Sequence, residues 1–191
     1  LQFMNMYELA PKSIVVGIAN VDRYRDFTFP SSDSLDQRDL PTSGGAAQFM
    51  DFIAQEVQPL INSNYRANGK NTLIGQSLGG LIATEFLMKR PALFADYIIV
   101  SPSLWWNKQE LVNGAAAYFK KKKDFDKRIF ISLGQEHPVM HEVADRLVAA
   151  IRNAGDIGVE LYYDPILDED HATILHRAVY AGLKRLNPQQ K

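Results

Sequence analysis

Short apolar runs recur along the chain at Ser13–Ala19, Thr72–Gly75, Tyr97–Val100, Ile129–Leu133 and Val159–Tyr163. Most are β-branched and apolar at successive rather than alternating positions, the pattern of a strand buried on both faces. Between them the apolar period lengthens to that of a helix. From Ala46 to Tyr65, the residues Phe49, Phe52, Ile53, Val57, Leu60 and Ile61 share one helical face, and Pro59 is expected to kink it. A helix follows the Thr72 run and is stopped by Pro91 near Arg90. Residues 109–123 read as a helix ending in Lys120-Lys121-Lys122-Lys123, a solvated end where cations meet the negative pole. Val139–Ala154 reads as an amphipathic helix closed by Gly155, and residues 172–186 as the last helix. Strands alternating with helices predict an α/β fold, a mostly parallel sheet with helices on both faces. Residues 20–44 are polar, contain Pro30 and Pro41, and read as one long excursion.

One junction in this pattern carries chemistry. Asn71-Thr72-Leu73-Ile74 runs into Gly75-Gln76-Ser77-Leu78-Gly79 and then into an apolar helix-forming segment. Gly-x-Ser-x-Gly between a strand and a helix is the context of a nucleophile elbow, with the serine projected from the top of the sheet. A side chain at position 75 or 79 is expected to collide with the neighbouring strand or helix. Ser77 is therefore the candidate nucleophile.

A serine hydroxyl needs a base, and the base needs an orienting acid. His171 lies just past the last strand and just before the last helix, where a base belongs in the chain order serine, acid, histidine. Glu136 follows the Ile129–Leu133 strand through Gly134-Gln135 and is the candidate acid, with Asp164 and the Asp168–Asp170 cluster as rivals. The cluster's place before a helix suits capping. His176 reads as a helix residue. His137 and His141 stand four apart without a third ligand, so no metal site is expected. The backbone N–H of Leu78 is the candidate oxyanion donor, and a second donor is not evident in the sequence.

Composition narrows the picture further. The 191 residues suit a single domain, and 46% hydrophobic content supplies a core. A formal net charge of −1 implies no nucleic-acid partner. There is no cysteine, no run long enough to span a membrane and no recognisable leader, which suits a soluble protein of cytoplasm or periplasm equally. No cofactor is implied, and oligomeric state is left open.

Three segments resemble a known family. They are Ile14-Val15-Val16-Gly17-Ile18-Ala19-Asn20 with Asp22-Arg23-Tyr24-Arg25-Asp26, then Gly75-Gln76-Ser77-Leu78-Gly79-Gly80, then Ser101-Pro102-Ser103-Leu104-Trp105-Trp106. Together they are similar to the putative-esterase family of α/β-hydrolases, nearest the branch of enterochelin (ferric siderophore) esterases. The resemblance implies an α/β-hydrolase fold and hydrolysis of a small-molecule carboxylic ester through an acyl-enzyme, with a siderophore or other aromatic ester as the leading substrate. Trp105 and Trp106 would offer rigid apolar faces to it, and Arg25 a cation, although loop arginines often pair with local acids such as Asp22 and Asp26. Two other outcomes fit the same residues: acyl transfer to another alcohol, and a non-catalytic binding module on the hydrolase fold. The family carries about three strands before the one matching Ile14–Ala19, whereas here only Leu1–Ser13 precede it, and no initiator methionine is present. The expectation is an N-terminally incomplete catalytic domain over residues 1–191. An upstream strand would lie between Ile14–Ala19 and Thr72–Gln76, holding them about two strand spacings apart.

Overall fold

The computed structural model describes residues 1–188, so the last three residues of the expected domain lie outside the described residues. Four strands, β1 (Thr72–Gln76), β2 (Asp96–Val100), β3 (Lys127–Ser132) and β4 (Val159–Tyr163), form one sheet in sequential order. Every neighbouring pair is parallel, with Gln76 opposite Val100 and Val100 opposite Ser132. Parallel neighbours require crossovers, and helices supply them. These are α6 (Leu78–Lys89), α7 (Trp106–Phe119) and α8 (Pro138–Arg152), and α9 (Ile174–Leu186) follows β4.

The alternation of side chains along β2 and β3 divides the core. Tyr97, Ile99, Ile129 and Ile131 pack with α6, α7 and α8, whereas Ile98, Val100 and Phe130 pack with Ile174, Ala178, Leu183 and Leu186 of α9. All five residues of β2 are buried, as a strand covered on both faces must be. Both faces of the sheet are therefore helix-covered, and the carboxyl ends of all four strands open on the same side, where the loops that carry chemistry gather.

Five α-helices precede β1 in short pieces. They are α1 (Gln2–Met6), α2 (Arg23–Phe27), α3 (Ser34–Asp39), α4 (Ala46–Phe52) and α5 (Gln58–Asn64), the last two joined by a π-helical turn, Ile53–Val57. The π turn ends at Val57, two residues before Pro59, whose missing N–H breaks the regular ladder. The excursion 20–44 is more ordered than its composition predicts. Asp22 caps α2 by accepting from the Tyr24 and Arg25 amides, and Asp33 caps α3 by accepting from the Leu35 amide.

One predicted strand is absent. Ile14–Ala19 lies in a stretch without secondary structure, with Ile14, Val15, Val16 and Ile18 exposed by 45%, 70%, 44% and 37%. A β-branched run records a preference for a pleated, half-buried surface, and a strand forms only where a neighbour offers backbone partners. None does here: β1 pairs with β2 alone, its other edge carries no strand among the described residues, and Ile74 on it is 38% exposed. The expected spacing of two strands across a gap therefore has no second strand to refer to. Helix α7 also departs from prediction, ending at Phe119 rather than within the lysine run. Among the described residues no helix is long and apolar enough to cross a membrane.

Candidate active site

The turn from β1 into α6 is drawn so tightly that Ser77 adopts φ 58° and ψ −121°, a region that non-glycine residues rarely occupy. A Cβ on Gly75 would stand 2.0 Å from the Gly79 carbonyl oxygen, so only glycine fits there. Position 79 differs from expectation: the nearest atom to a Cβ built on it is a Phe27 ring carbon at 4.0 Å. The second close approach belongs to Gly80, where a Cβ would lie 2.9 Å from Pro102 Cα. The doubled glycine in Gly79-Gly80 is its sequence signal.

Pro102 belongs to the turn leaving β2, and that turn forms a second wall around Ser77. Ser101 has φ 40°, the Ser103 amide donates to the Ser77 carbonyl oxygen at 3.1 Å, and the Ser103 hydroxyl lies 3.4 Å from the Ser77 hydroxyl. At 3.4 Å the hydroxyl pair is a long contact rather than a strong bond. Leu78 opens α6, so its N–H belongs to the helix turn that has no internal partner and favours negative charge.

His171 and Glu136 arrive on neighbouring loops. The loop after β4 is stitched to the loop after β3 where the Gln135 amide donates to the Glu169 carbonyl oxygen at 2.6 Å. Across that stitch both Glu136 carboxylate oxygens lie 3.0 Å from His171 Nδ1. The Glu136 side chain is 6% exposed and that of His171 46%, so the acid is sheltered while the ring faces the open side of the site. With Nδ1 engaged, Nε2 is the ring nitrogen left for other work. On the backbone side, Gln76 Nε2 donates to the His171 carbonyl oxygen at 2.5 Å.

The rival acids are occupied elsewhere. Asp168 and Glu169 pair with Arg177 at 2.6 Å and 2.8 Å; Arg177 holds the Asp168 carboxyl below its ordinary range, and the Thr173 hydroxyl first and Arg177 second do the same for Glu169. Asp170 caps the approach to α9 by accepting from the Ala172 and Thr173 amides. Asp164 stands 3.9 Å from Arg185. His137 caps α8, its Nδ1 accepting from the Val139 amide.

The two tryptophans separate. Trp106 is 1% exposed and its indole N–H donates to the Phe29 carbonyl oxygen at 2.9 Å. It is a core residue, which corrects the expectation that it faces a substrate. Trp105 is 36% exposed and meets Trp106 edge-on. After them Asn107, Lys108 and Gln109 all have positive φ, at roughly 1–2 kcal/mol each for residues with a Cβ. A dense polar brace offsets this strain. Asn107 Oδ1 accepts from the Ser32 amide and from the Ser31 and Ser32 hydroxyls, its amide donates to Asp36, and Arg146 holds Gln109 and Asn113. The brace bolts the excursion 20–44 to the tryptophan turn. Arg25 sits on that excursion, its side chain 53% exposed and its Nε 2.8 Å from Asp26, so its charge is locally balanced.

Known proteins are similar to this chain. Residues 3–154 match the Esterase family, described as "Putative esterase", a span that contains Ser77 and Glu136 and stops before His171. The chain is 30% identical to the ferri-bacillibactin esterase BesA of Bacillus subtilis over 174 residues, covering 85% of this chain and 60% of that protein. It is 34% identical to the siderophore triacetylfusarinine C esterase of Aspergillus fumigatus over 167 residues, covering 73% of this chain and 57% of that protein. Among solved structures, an IroE-like serine hydrolase from Shewanella oneidensis superposes with a TM-score of 0.80 at 25% identity, covering 94% of this chain and 61% of that one. The chain thus spans 57–60% of the length of these curated relatives. Its fold is that of the α/β-hydrolases, and the chain belongs to the Esterase family.

Proposed function

We propose that the protein carrying this chain is a serine carboxylic-ester hydrolase that works through an acyl-enzyme, on siderophore-type or other aromatic esters. Ser77 Oγ attacks the acyl carbon while its proton passes to His171 Nε2. Glu136 holds Nδ1–H, fixing the tautomer and stabilising the imidazolium as it forms. The tetrahedral oxyanion is received by the Leu78 N–H at the start of α6. On collapse the C–O bond to the alcohol breaks, and that oxygen takes the proton from His171. Water then repeats the sequence on the acyl-enzyme, releasing the acid and restoring the Ser77 hydroxyl.

The observation that carries this reading is the pair of 3.0 Å contacts between Glu136 and His171 Nδ1, at a residue whose carbonyl oxygen is held by Gln76, the neighbour of the strained elbow serine. The names of the relatives support the substrate class, as does Trp105, whose half-open indole suits an aromatic acyl group. Arg25 supplies a rim cation, weakened by Asp26. The domain is proposed to be a single catalytic unit whose sheet continues beyond the open edge of β1, with Ile14–Ala19 as one of its strands. A panel of aryl esters and catecholate siderophores, run with the full-length protein, tests the reading. Ester cleavage that a fluorophosphonate abolishes by modifying Ser77 is the expected result. Binding of a siderophore without turnover would contradict it, and ester formation with an added alcohol in place of hydrolysis would reassign it to acyl transfer.

A further inference from the structure

We infer that Gln76 is a positioning residue that sets the reach of His171 toward Ser77, an inference that rests on the roles proposed above for those two residues. Alternation along β1 decides where its side chain goes. The Cβ direction of Gly75 points into α6, so Gln76 stands on the opposite face, where α9 packs over Val100 and Ile98. The chain entering α9 passes there, and Gln76 Nε2 donates to the His171 carbonyl oxygen at 2.5 Å, between residues 95 apart in sequence. A carbonyl oxygen only accepts, so the amide nitrogen must be the atom facing it.

The consequence is a two-point hold on His171. Glu136 fixes the ring through Nδ1, and Gln76 fixes the backbone at the same residue. Ring orientation alone leaves the imidazole free to move bodily with its loop, which is open to solvent on one side. Gln76 removes that freedom, and because Ser77 is the next residue the tether spans a single peptide unit. Register between β1 and β2, with Gln76 opposite Val100 and the Ser77 amide donating to the Val100 carbonyl oxygen, makes the anchor itself rigid. Misplacing a catalytic group by an ångström costs on the order of 10²-fold in rate, so loss of the tether is expected to act on kcat rather than on binding.

The test compares Gln76→Met, which keeps length and loses the donor, with Gln76→His, whose neutral ring can present an N–H at similar reach. The full-length protein is used, with an aryl ester for kcat and KM. The rate of fluorophosphonate attachment is followed by mass spectrometry of the Ser77 peptide, and Tm is recorded for each variant. The expected result is a kcat and a labelling rate lowered roughly 10–100-fold in Gln76→Met, with KM within about twofold and most of the loss regained in Gln76→His. Wild-type kcat and labelling in Gln76→Met would overturn the inference. So would a loss that tracks a fall in Tm and that Gln76→His does not repair, since that is a structural role. Wild-type protein that hydrolyses the ester without being labelled at Ser77 would overturn the nucleophile assignment first, and the inference with it.

Discussion

The Glu136 carboxylate straddles the Nδ1 edge of His171, each oxygen 3.0 Å from that nitrogen, and the acid is buried while the ring is half exposed. This geometry separates the jobs of the two residues. Glu136 is shielded from solvent, so in the proposed mechanism its influence passes through the imidazole. Glu136→Gln keeps the volume but loses the charge that stabilises an imidazolium and selects the tautomer. The expected loss in kcat is about 10²–10⁴-fold with little change in KM. Steady-state kinetics on an aryl ester checks this, and a variant with near wild-type kcat would remove Glu136 from the mechanism.

The two glycines that flank the elbow serine make opposite predictions. A methyl on Gly75 would fall 2.0 Å from the Gly79 carbonyl oxygen, a backbone atom that cannot swing away. Gly75→Ala is expected to lower stability by at least about 1–3 kcal/mol. At position 79 the nearest atom is 4.0 Å distant, and Gly79→Ala gains helix propensity of up to about 1 kcal/mol. Thermal unfolding of both variants checks the contrast, and equal destabilisation would show that the turn is not drawn as described.

A buried carboxylate in α6 gives a pH dependence of stability. Glu85 is 1% exposed, with Lys89 Nζ 2.7 Å from Oε1 and no hydrogen-bond partner for Oε2 among the described residues. Burial pushes its carboxyl above the ordinary value of 4.5, and Lys89 offsets only part of that. The fold thus holds this proton more tightly than the unfolded chain does. The stability so gained is complete below 4.5 and is lost as pH rises through the raised folded value. Glu85→Gln carries no such proton, and Lys89, being half exposed, stays solvated. The Tm of the variant relative to wild type should climb as pH rises from 4.5 toward neutrality. A difference that is flat or falling with pH would contradict the account.

The exposed apolar run Ile14–Ala19 and the open edge of β1 predict a difference between this chain alone and the full-length protein. If the sheet continues past β1, the amides of residues 14–19 should exchange with deuterium slowly in the full-length protein, as those of the buried strand β2 are expected to. In the chain alone they should exchange rapidly. Equally rapid exchange in both would show that this run is not a strand.

What the sequence reveals and conceals follows from how far each feature reaches along the chain. The strands β1 to β4 are legible because each is a compact apolar run whose neighbours in the sheet are also its neighbours in sequence. The meeting of Glu136 and His171 is legible for a related reason: each sits on the loop that leaves a recognisable strand, and parallel strands bring such loops to one end. Ile14–Ala19 reads as a strand in the sequence and is none in this structure because local propensity does not reveal whether a partner strand lies alongside. Trp105 and Trp106 are adjacent and chemically identical, and their division into rim and core depends on Phe29, far away in sequence. The left-handed turn at Asn107–Gln109 contains no glycine to announce it and is sustained by side chains from the Ser31–Asp36 segment. The bond from Gln76 to His171 joins residues 95 apart and has no local signal at all.

The central claim is that Ser77 is the nucleophile, and the measurement that meets it most directly is the turnover of Ser77→Ala in the full-length protein on an ester that the wild type cleaves. The variant adds no volume at the elbow and should unfold at nearly the wild-type Tm. Its kcat should fall by roughly 10⁴–10⁶-fold, because among the described residues no other hydroxyl stands on the strained elbow that opens α6. The Ser103 hydroxyl, 3.4 Å from that of Ser77, is the one neighbour whose substitution for it would show as residual activity. A folded Ser77→Ala protein retaining more than about a tenth of wild-type kcat would contradict the account, since a triad that loses its nucleophile keeps only a minute fraction of its rate.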